Sequence, residues 1–247
     1  MKKVLITGAL GQDGKILSQI YLRKKFKVFG IIKRKNKNCI SNVEYVCNNL
    51  SNRNKITILL KKINPNIIIH LASMTNAAGS FNKKKEMYKN NINCMKNVID
   101  YCLKNKSKLI HISSTSVYGK QTDLVDEKCE KKYLKPQSPY ADIKLIEENM
   151  LNKVRNRIKY VTYRFGTISG ISKGMRFHTA VNKFCLDASL NLPITVYNTA
   201  LHQFRPYLSV QDSFKLFKFT IEKNFFKNDI YNALSENCTV DQILKKI

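Results

Sequence analysis

Short aliphatic runs recur along this chain, separated by longer stretches whose apolar positions fall three or four residues apart. The runs at Val4 to Thr7, Val28 to Ile32, Val43 to Val46, Ile67 to Leu71, Lys108 to Ser113 and Tyr160 to Arg164 have strand length. Between them the pattern predicts helices over about Lys15 to Arg23, Lys55 to Lys62, Tyr88 to Leu103 and Ser138 to Lys153. Asn64-Pro65-Asn66 reads as the turn into the fourth strand. Strand and helix alternating in this way predict an α/β fold, a Rossmann-like doubly wound parallel sheet.

The character changes after Gly166. Gly170, Gly174 and a polar stretch precede a predicted helix at Ala180 to Ser189, and Ile194 to Tyr197 reads as a strand of a smaller lobe. A helix near Asp212 to Ile221 and a strand at Ile230 to Ala233 are expected to return to the main sheet. The division expected is residues 1–166 as the main α/β domain and 167–247 as a smaller lobe, with about 208–233 rejoining the first. A helix begun at Val240 meets the end at Ile247 without a C-cap, which suggests a missing tail.

Composition narrows the classes. Lysine and arginine number 44 against 17 acidic residues, a formal charge of +27. The lysines are spread along helix faces and loops, with no RNA-recognition motif and no basic stripe interleaved with aromatics. They are read as the bias of an AT-rich genome, and no nucleic-acid partner is expected, although an anionic small substrate would be drawn in. No apolar run approaches the ~20 residues of a membrane helix. The first residues read as a strand rather than a secretory signal, so no membrane association and a cytoplasmic location are expected. The 7 cysteines include no C-x-x-C pair, and the 4 histidines show no ligand spacing, so no metal site is expected. His70 and His111 fall on predicted strands, where a packed, hydrogen-bonded imidazole is the simpler reading.

Four motifs carry chemistry. Gly8-Ala9-Leu10-Gly11-Gln12-Asp13-Gly14 follows a strand and opens a helix, the context of a dinucleotide site. Gly8 permits the tight turn, Gly11 lets the backbone approach a pyrophosphate at the helix N-terminus, and Gly14 allows close helix–strand packing. The second strand ends Gly30-Ile31-Ile32-Lys33-Arg34-Lys35, with basic residues where NAD sites commonly place an acid. Arg34, with Lys33, therefore tips the expectation to NADP over NAD. Tyr140 and Lys144 stand one helical turn apart on a common face, where an ammonium favours phenolate and suits the tyrosine to general-base work. His111-Ile112-Ser113-Ser114-Thr115-Ser116 brings hydroxyls to the carboxyl end of the fifth strand, where open α/β sheets bind ligands.

With these motifs together and in order, the chain resembles the extended short-chain dehydrogenase/reductases, specifically the NAD-dependent epimerase/dehydratase family acting on nucleotide sugars. The resemblance implies a catalytic triad of Ser114, Tyr140 and Lys144. It implies cofactor contacts from Gly8, Gly11, Gln12, Asp13, Gly14 and Arg34, from Asn49 and Leu50, from Leu71, Ala72 and Ser73 after the fourth strand, and from Asn91, Tyr140 and Lys144. Asn91 matches the family's N-x-x-G-T-x-N helix, although Cys94 and Met95 replace Gly-Thr. Arg205-Pro206-Tyr207-Leu208-Ser209-Val210-Gln211-Asp212 is similar to the family's R-D-F-x-x-V-x-D segment, whose arginine meets the substrate diphosphate. Thr115, Arg176, His178 and Asn182 complete the implied substrate contacts.

The pieces around Gly11 and Gly30 are similar to GDP-mannose 4,6-dehydratases. The position after Ser114 is not, since 4,6-dehydratases place an acidic residue there and this chain has Thr115 and Ser116. The expectation is therefore an NAD(P)-dependent nucleotide-sugar epimerase. The alternatives are an NADPH-dependent 4-keto-sugar reductase, a 4,6-dehydratase, and a non-catalytic dinucleotide-binding scaffold. A homodimer is implied, through the helices at Tyr88 to Leu103 and Ala141 to Lys153, with Met87, Met95, Leu145 and Met150 as candidate contacts.

Overall fold

The computed structural model describes residues 1–34, 39–75, 81–121 and 124–247; Lys35 lies outside them. In chain order the strands are β1 (Lys3–Thr7), β2 (Lys27–Ile32), β3 (Glu44–Cys47), β4 (Ile67–His70), β5 (Lys108–Ser114), β6 (Tyr160–Phe165), β7 (Thr167–Ser169), β8 (Arg205–Ser209), β9 (Ile230–Ala233) and β10 (Glu236–Cys238). The helices are α1 (Gln12–Arg23), α2 (Arg53–Ile63), α3 (Lys84–Asn105), α4 (Pro139–Asn152), α5 (Ala180–Ser189), α6 (Val210–Glu222) and α7 (Val240–Leu244).

Seven strands form one sheet in the order β3-β2-β1-β4-β5-β6-β9, and each neighbouring pair is parallel. Successive side chains leave a strand on opposite faces, so each strand feeds two cores. Leu5, Ile68 and Leu109 pack with Ile56 and Leu60 of α2, Met95 and Val98 of α3 and Leu151 of α4. Val4, Ile6, Ile69 and Ile110 pack with Leu17 and Tyr21 of α1 and Phe217 of α6. The helices start and stop where local chemistry directs. Asn52 caps α2 by accepting from the Lys55 amide at 3.1 Å, and Asn64, at φ 50°, turns the chain out before Pro65.

A second sheet, β10-β8-β7, is built beyond Gly166. β7 runs parallel to β8, and β10 antiparallel. It closes over a small core of Phe184, Tyr207, Cys238, Val240 and Ile243. β9 then pairs with β6, at the edge of the main sheet.

Three expectations are corrected. Ile194 to Tyr197 is not a strand. Ile194 and Val196 pack against the small core, so the alternation reports burial, but Pro193 withdraws a donor and no backbone lies alongside to form a ladder. The strand of the lobe is instead β8, overlooked because Pro206 interrupts its pattern. Met87 and Met95 are buried within the protomer, 2% and 0% exposed, and are removed as candidate contacts between copies. Met95 packs in the core that the sheet shares with α2, α3 and α4. Leu145 and Met150 are partly buried. Among the described residues no helix is long and apolar enough to cross a membrane.

Candidate functional site

The strand order reverses between β1 and β4, the switch point at which connections leave in opposite directions and open a crevice at the carboxyl ends. A cleft of about 1430 Å³ lies there, lined by Gln12, Asp13, Ser114, Tyr140 and Lys144 among others.

One wall is the turn from β1 into α1. Gly8 has φ +67°, a conformation L side chains avoid, and a Cβ there would lie 3.0 Å from the Ala72 amide nitrogen. A Cβ on Gly14 would come within 2.7 Å of Ala9 Cα and of the Gly8 carbonyl, so only glycine lets the helix sit this close to the strand. Gly11 caps α1 without a side-chain acceptor, which leaves the first amides of the helix open to an anion. Gln12 Nε2 and Asp13 Oδ1 are buried with no partner among the described residues. Burial pushes the Asp13 carboxyl up to about 6, and Arg176 and a backbone hydrogen bond pull it back part of the way. The diphosphate of a nicotinamide dinucleotide fits this cradle: a Cβ would fill it, the helix end attracts negative charge, and Gln12 Nε2 is a buried donor without a partner among the described residues.

The opposite wall is β5 and α4. Ser114 ends β5 and caps the following turn, accepting from the Ser116 amide at 3.2 Å and the Ser116 hydroxyl at 2.8 Å. Its own hydrogen has no acceptor among the described residues. Ser138 caps α4, accepting from the Ala141 amide at 3.2 Å, with Pro139 in the first turn. That start sets the phase of the helix, presenting Tyr140 to the cleft and Lys144 one turn deeper. The Lys144 Nζ lies 5.9 Å from the Tyr140 ring centre.

Beneath them is a polar network the sequence reading did not find. Lys144 is 4% exposed and donates to Glu147 Oε2 at 2.8 Å. His111 on β5 meets the same oxygen through Nε2 at 3.0 Å and Thr162 through Nδ1 at 3.3 Å. A neutral imidazole protonated on Nε2 satisfies both contacts. Burial would lower the Lys144 ammonium, but Glu147, then Tyr140, more than restore it, so it titrates above the usual lysine range. Burial would raise Glu147, but Lys144 and His111 hold it well below the usual carboxylate range. At the end of β1, Thr7 Oγ1 accepts from the Leu71 and Ala72 amides, so its hydrogen goes to Nδ1 of His70 on neighbouring β4 at 2.9 Å. His70 is pushed down to about 3 by burial and is a neutral, packed imidazole.

The other expected residues divide. Arg176, His178, Thr115 and Arg205 border the cleft, as do Leu71 and Ser73. Ala72 lies behind it, with its amide on Thr7. Asn91 is buried and holds the loop after β4, accepting from the Met74 amide at 3.0 Å and donating to Ser73 Oγ at 2.9 Å. Asn182 is not brought to the cleft. It accepts from the Gly170 amide at 3.0 Å and donates to the Arg176 carbonyl at 3.1 Å, pinning the loop that carries Arg176. Arg34 and Asn49 are exposed beyond β2 and β3, and Leu50 is core. Asn49 accepts from the Ser51 amide and hydroxyl, whereas the buried Asn48 Oδ1 has no partner among the described residues. Among the described residues no cluster could hold a metal ion.

Comparison with known proteins agrees with this architecture. Residues 4–233 match the NAD dependent epimerase/dehydratase family. The chain is 26% identical to a dTDP-D-glucose 4,6-dehydratase of Dictyostelium discoideum over 94% of its length, and 25% identical to a UDP-glucose 4-epimerase of Mycoplasma genitalium over 68%. It spans 58% and 53% of those relatives' own lengths. In fold it is similar to the UDP-glucose 4-epimerase of Thermus thermophilus in complex with NAD, with TM-score 0.84 and 22% identity, over 98% of this chain and 81% of that one. It is likewise similar to the UDP-glucose 4-epimerase of Thermotoga maritima with UDP-glucose, at TM-score 0.86 and 20% identity, over 98% and 80%. The glycine turn, the switch-point cleft and the match from end to end of the main sheet together place the chain: it belongs to the NAD dependent epimerase/dehydratase family.

Proposed function

We propose that the protein is a nucleotide-sugar epimerase that uses a nicotinamide dinucleotide as a resident cofactor. The observation that carries this reading is the chemistry of the cleft. Ser114, Tyr140 and Lys144 meet there, and Asp13 is the one carboxylate lining it among the described residues. Asp13 belongs to the α1 turn, not to the Ser114 strand end. Expelling water from a hexose needs an acid beside the sugar, and Thr115 and Ser116 follow Ser114 instead. That favours epimerisation over 4,6-dehydration.

When bound, the dinucleotide supplies hydride acceptance and return at the sugar carbon. The glycine turn at Gly8, Gly11 and Gly14 and the Gln12 amide would hold its diphosphate at the α1 N-terminus, and Asp13 would accept from a hydroxyl or amide of the dinucleotide. Tyr140 takes the proton from the sugar hydroxyl, with the Lys144 ammonium 5.9 Å from its ring centre to stabilise negative charge as it develops. Ser114 donates to the sugar oxygen as it becomes a carbonyl. Tyr140 later returns the proton once the ketone has turned its other face. Arg176 and Arg205 offer charge to the substrate diphosphate. The test is incubation with NAD or NADP and a panel of UDP-, GDP- and dTDP-hexoses, followed by proton NMR. A new epimer with no net cofactor reduction is expected. Accumulation of a stable keto sugar would transfer the reading to a dehydratase, and net consumption of NADPH to a reductase.

The same reading extends to cofactor choice. Arg34 stands exposed two residues beyond β2, with Lys33 beside it, where a ribose 2′-phosphate would be met. NADP should bind more tightly than NAD, and Arg34→Ala should cost NADP about ten-fold, the ~1.5 kcal/mol of one charged hydrogen bond, and leave NAD unchanged. Equal losses for both dinucleotides would remove Arg34 from the site.

A further inference from the structure

The geometry points to Glu147 as the counter-ion that keeps Lys144 an ammonium in the dry interior, and so as a positioning residue for the active site. Its value to catalysis rests on the proposed reaction, in which Lys144 must carry charge beside Tyr140. The ion pair itself is independent of that reading.

Lys144 and Glu147 are 4% and 1% exposed. An ammonium taken out of water to this depth sheds its proton unless an anion compensates it. Glu147 Oε2 stands 2.8 Å away and is the acceptor that the Lys144 Nζ has among the described residues. His111 fixes that oxygen from the other side, at 3.0 Å. The groups facing the pair are Tyr140 and Glu148 on α4, His111 on β5, His70 on β4 and Cys94 on α3. Glu148 is taken up by Arg164, which binds it in a fork at 2.9 and 2.7 Å. His70 is uncharged, and burial lifts the Cys94 thiol to about 12, above the range in which it ionises near neutrality. Glu147 is thus the anion left to serve Lys144.

The consequence is a pH signature that loss of packing alone would not give. In the parent both partners stay ionised between about pH 6.5 and 9.5, because Glu147 titrates below that window and Lys144 above it. In Glu147→Gln, Lys144 loses its largest compensation and its direct acceptor, so burial depresses it below its unfolded value. The native state then binds fewer protons than the unfolded state, and the variant gains stability as pH rises through the lowered value.

Ligand-free melting curves between about pH 6.5 and 9.5 test this. Glu147→Gln should melt roughly 10 °C below the parent at the acid end, with the gap narrowing steadily toward the alkaline end. Glu147→Asp, which keeps the charge, should show a gap that does not change with pH. Adding Lys144→Met to Glu147→Gln should abolish the pH dependence. If Glu147→Gln is too unstable to melt, the double variant must fold. A gap constant across the pH range, or a double variant that folds no better than the single one, overturns the assignment. NAD titration separates this from the reaction. In Glu147→Gln, NAD affinity should fall about five-fold from the acid to the alkaline end as a charged hydrogen bond becomes neutral. Should Lys144→Met leave NAD affinity intact while the melting gap narrows, Glu147 stands as the counter-ion and it is the proposed role of Lys144 that fails.

Discussion

Tyr140→Phe should bind the dinucleotide as the parent does and turn over ~10²–10⁴-fold more slowly, or more if the triad acts as a unit. The substitution removes one hydroxyl. The ring stays beside the Lys144 ammonium, 5.9 Å from its centre. The Ser138 cap and Pro139 still start the helix in the same phase, and Lys144 keeps its bond to Glu147. Nothing in the glycine turn is touched, so the α1 amides remain available to a diphosphate. What is lost is the acceptor for the sugar hydroxyl proton, and the Ser114 hydroxyl has no base beside it to take over. The measurements are kcat on whichever nucleotide sugar the panel identifies, Kd for NAD and NADP, and a melting curve. A large fall in kcat with Kd and melting within error is the expected pattern. Full turnover by Tyr140→Phe on the same substrate would remove Tyr140 from the chemistry, and with it the epimerase mechanism.

Parts of the site were readable in the chain because their geometry is local. The glycine turn needs only the residues between β1 and α1, and the backbone demands at Gly8 and Gly14 are met by glycine alone. Tyr140 and Lys144 are joined by a single helical turn, and the Ser-Pro before them announces its start. The main sheet was legible for a related reason: a strand buried on both faces is a bare aliphatic run wherever it occurs. The lobe was harder. Its sheet is three short strands drawn from separate parts of the chain, its central strand contains Pro206, and the one clean alternation, at Ile194 and Val196, marks residues that pack without pairing. The Lys144–Glu147–His111 network failed for distance. His111 and Glu147 are separated by 36 positions and meet only after α4 docks on β5. A signal was nonetheless present. Lys144, Glu147, Glu148 and Leu151 follow helical spacing on the stripe that should face the core, and charges on such a stripe must find partners. Asn182 was misjudged by the opposite error. A polar residue in an apolar stretch was read as reaching for a ligand, whereas both of its polar ends are consumed by the backbone of the loop it supports.

The second large effect lies in the companion ion pair and is one of stability. Arg164 on β6 is 3% exposed and grips Glu148 through Nε at 2.9 Å and Nη2 at 2.7 Å. Its Nη1 donates to the Tyr118 hydroxyl at 2.8 Å. Glu148 Oε1 also accepts from Ser113 at 2.6 Å, and the Tyr118 hydroxyl reaches Asn232 of β9 at 2.9 Å. The network therefore ties α4, β5, β6 and β9 together next to Ser114. Arg164→Met keeps much of the side-chain volume and leaves Glu148 charged, 4% exposed, with the Ser113 hydroxyl as its remaining donor. Removing one partner of such a pair costs about 3–5 kcal/mol, a large share of the ~5–15 kcal/mol that holds a domain together. Melting should fall by roughly 10 °C. Adding Glu148→Leu removes the stranded charge and should recover part of the lost melting temperature, a coupling that independent sites would not show. If Arg164→Met melted within about 2 °C of the parent, the fork would be ornamental, and the placement of Ser114 would have to be credited to the β5–β6 ladder alone.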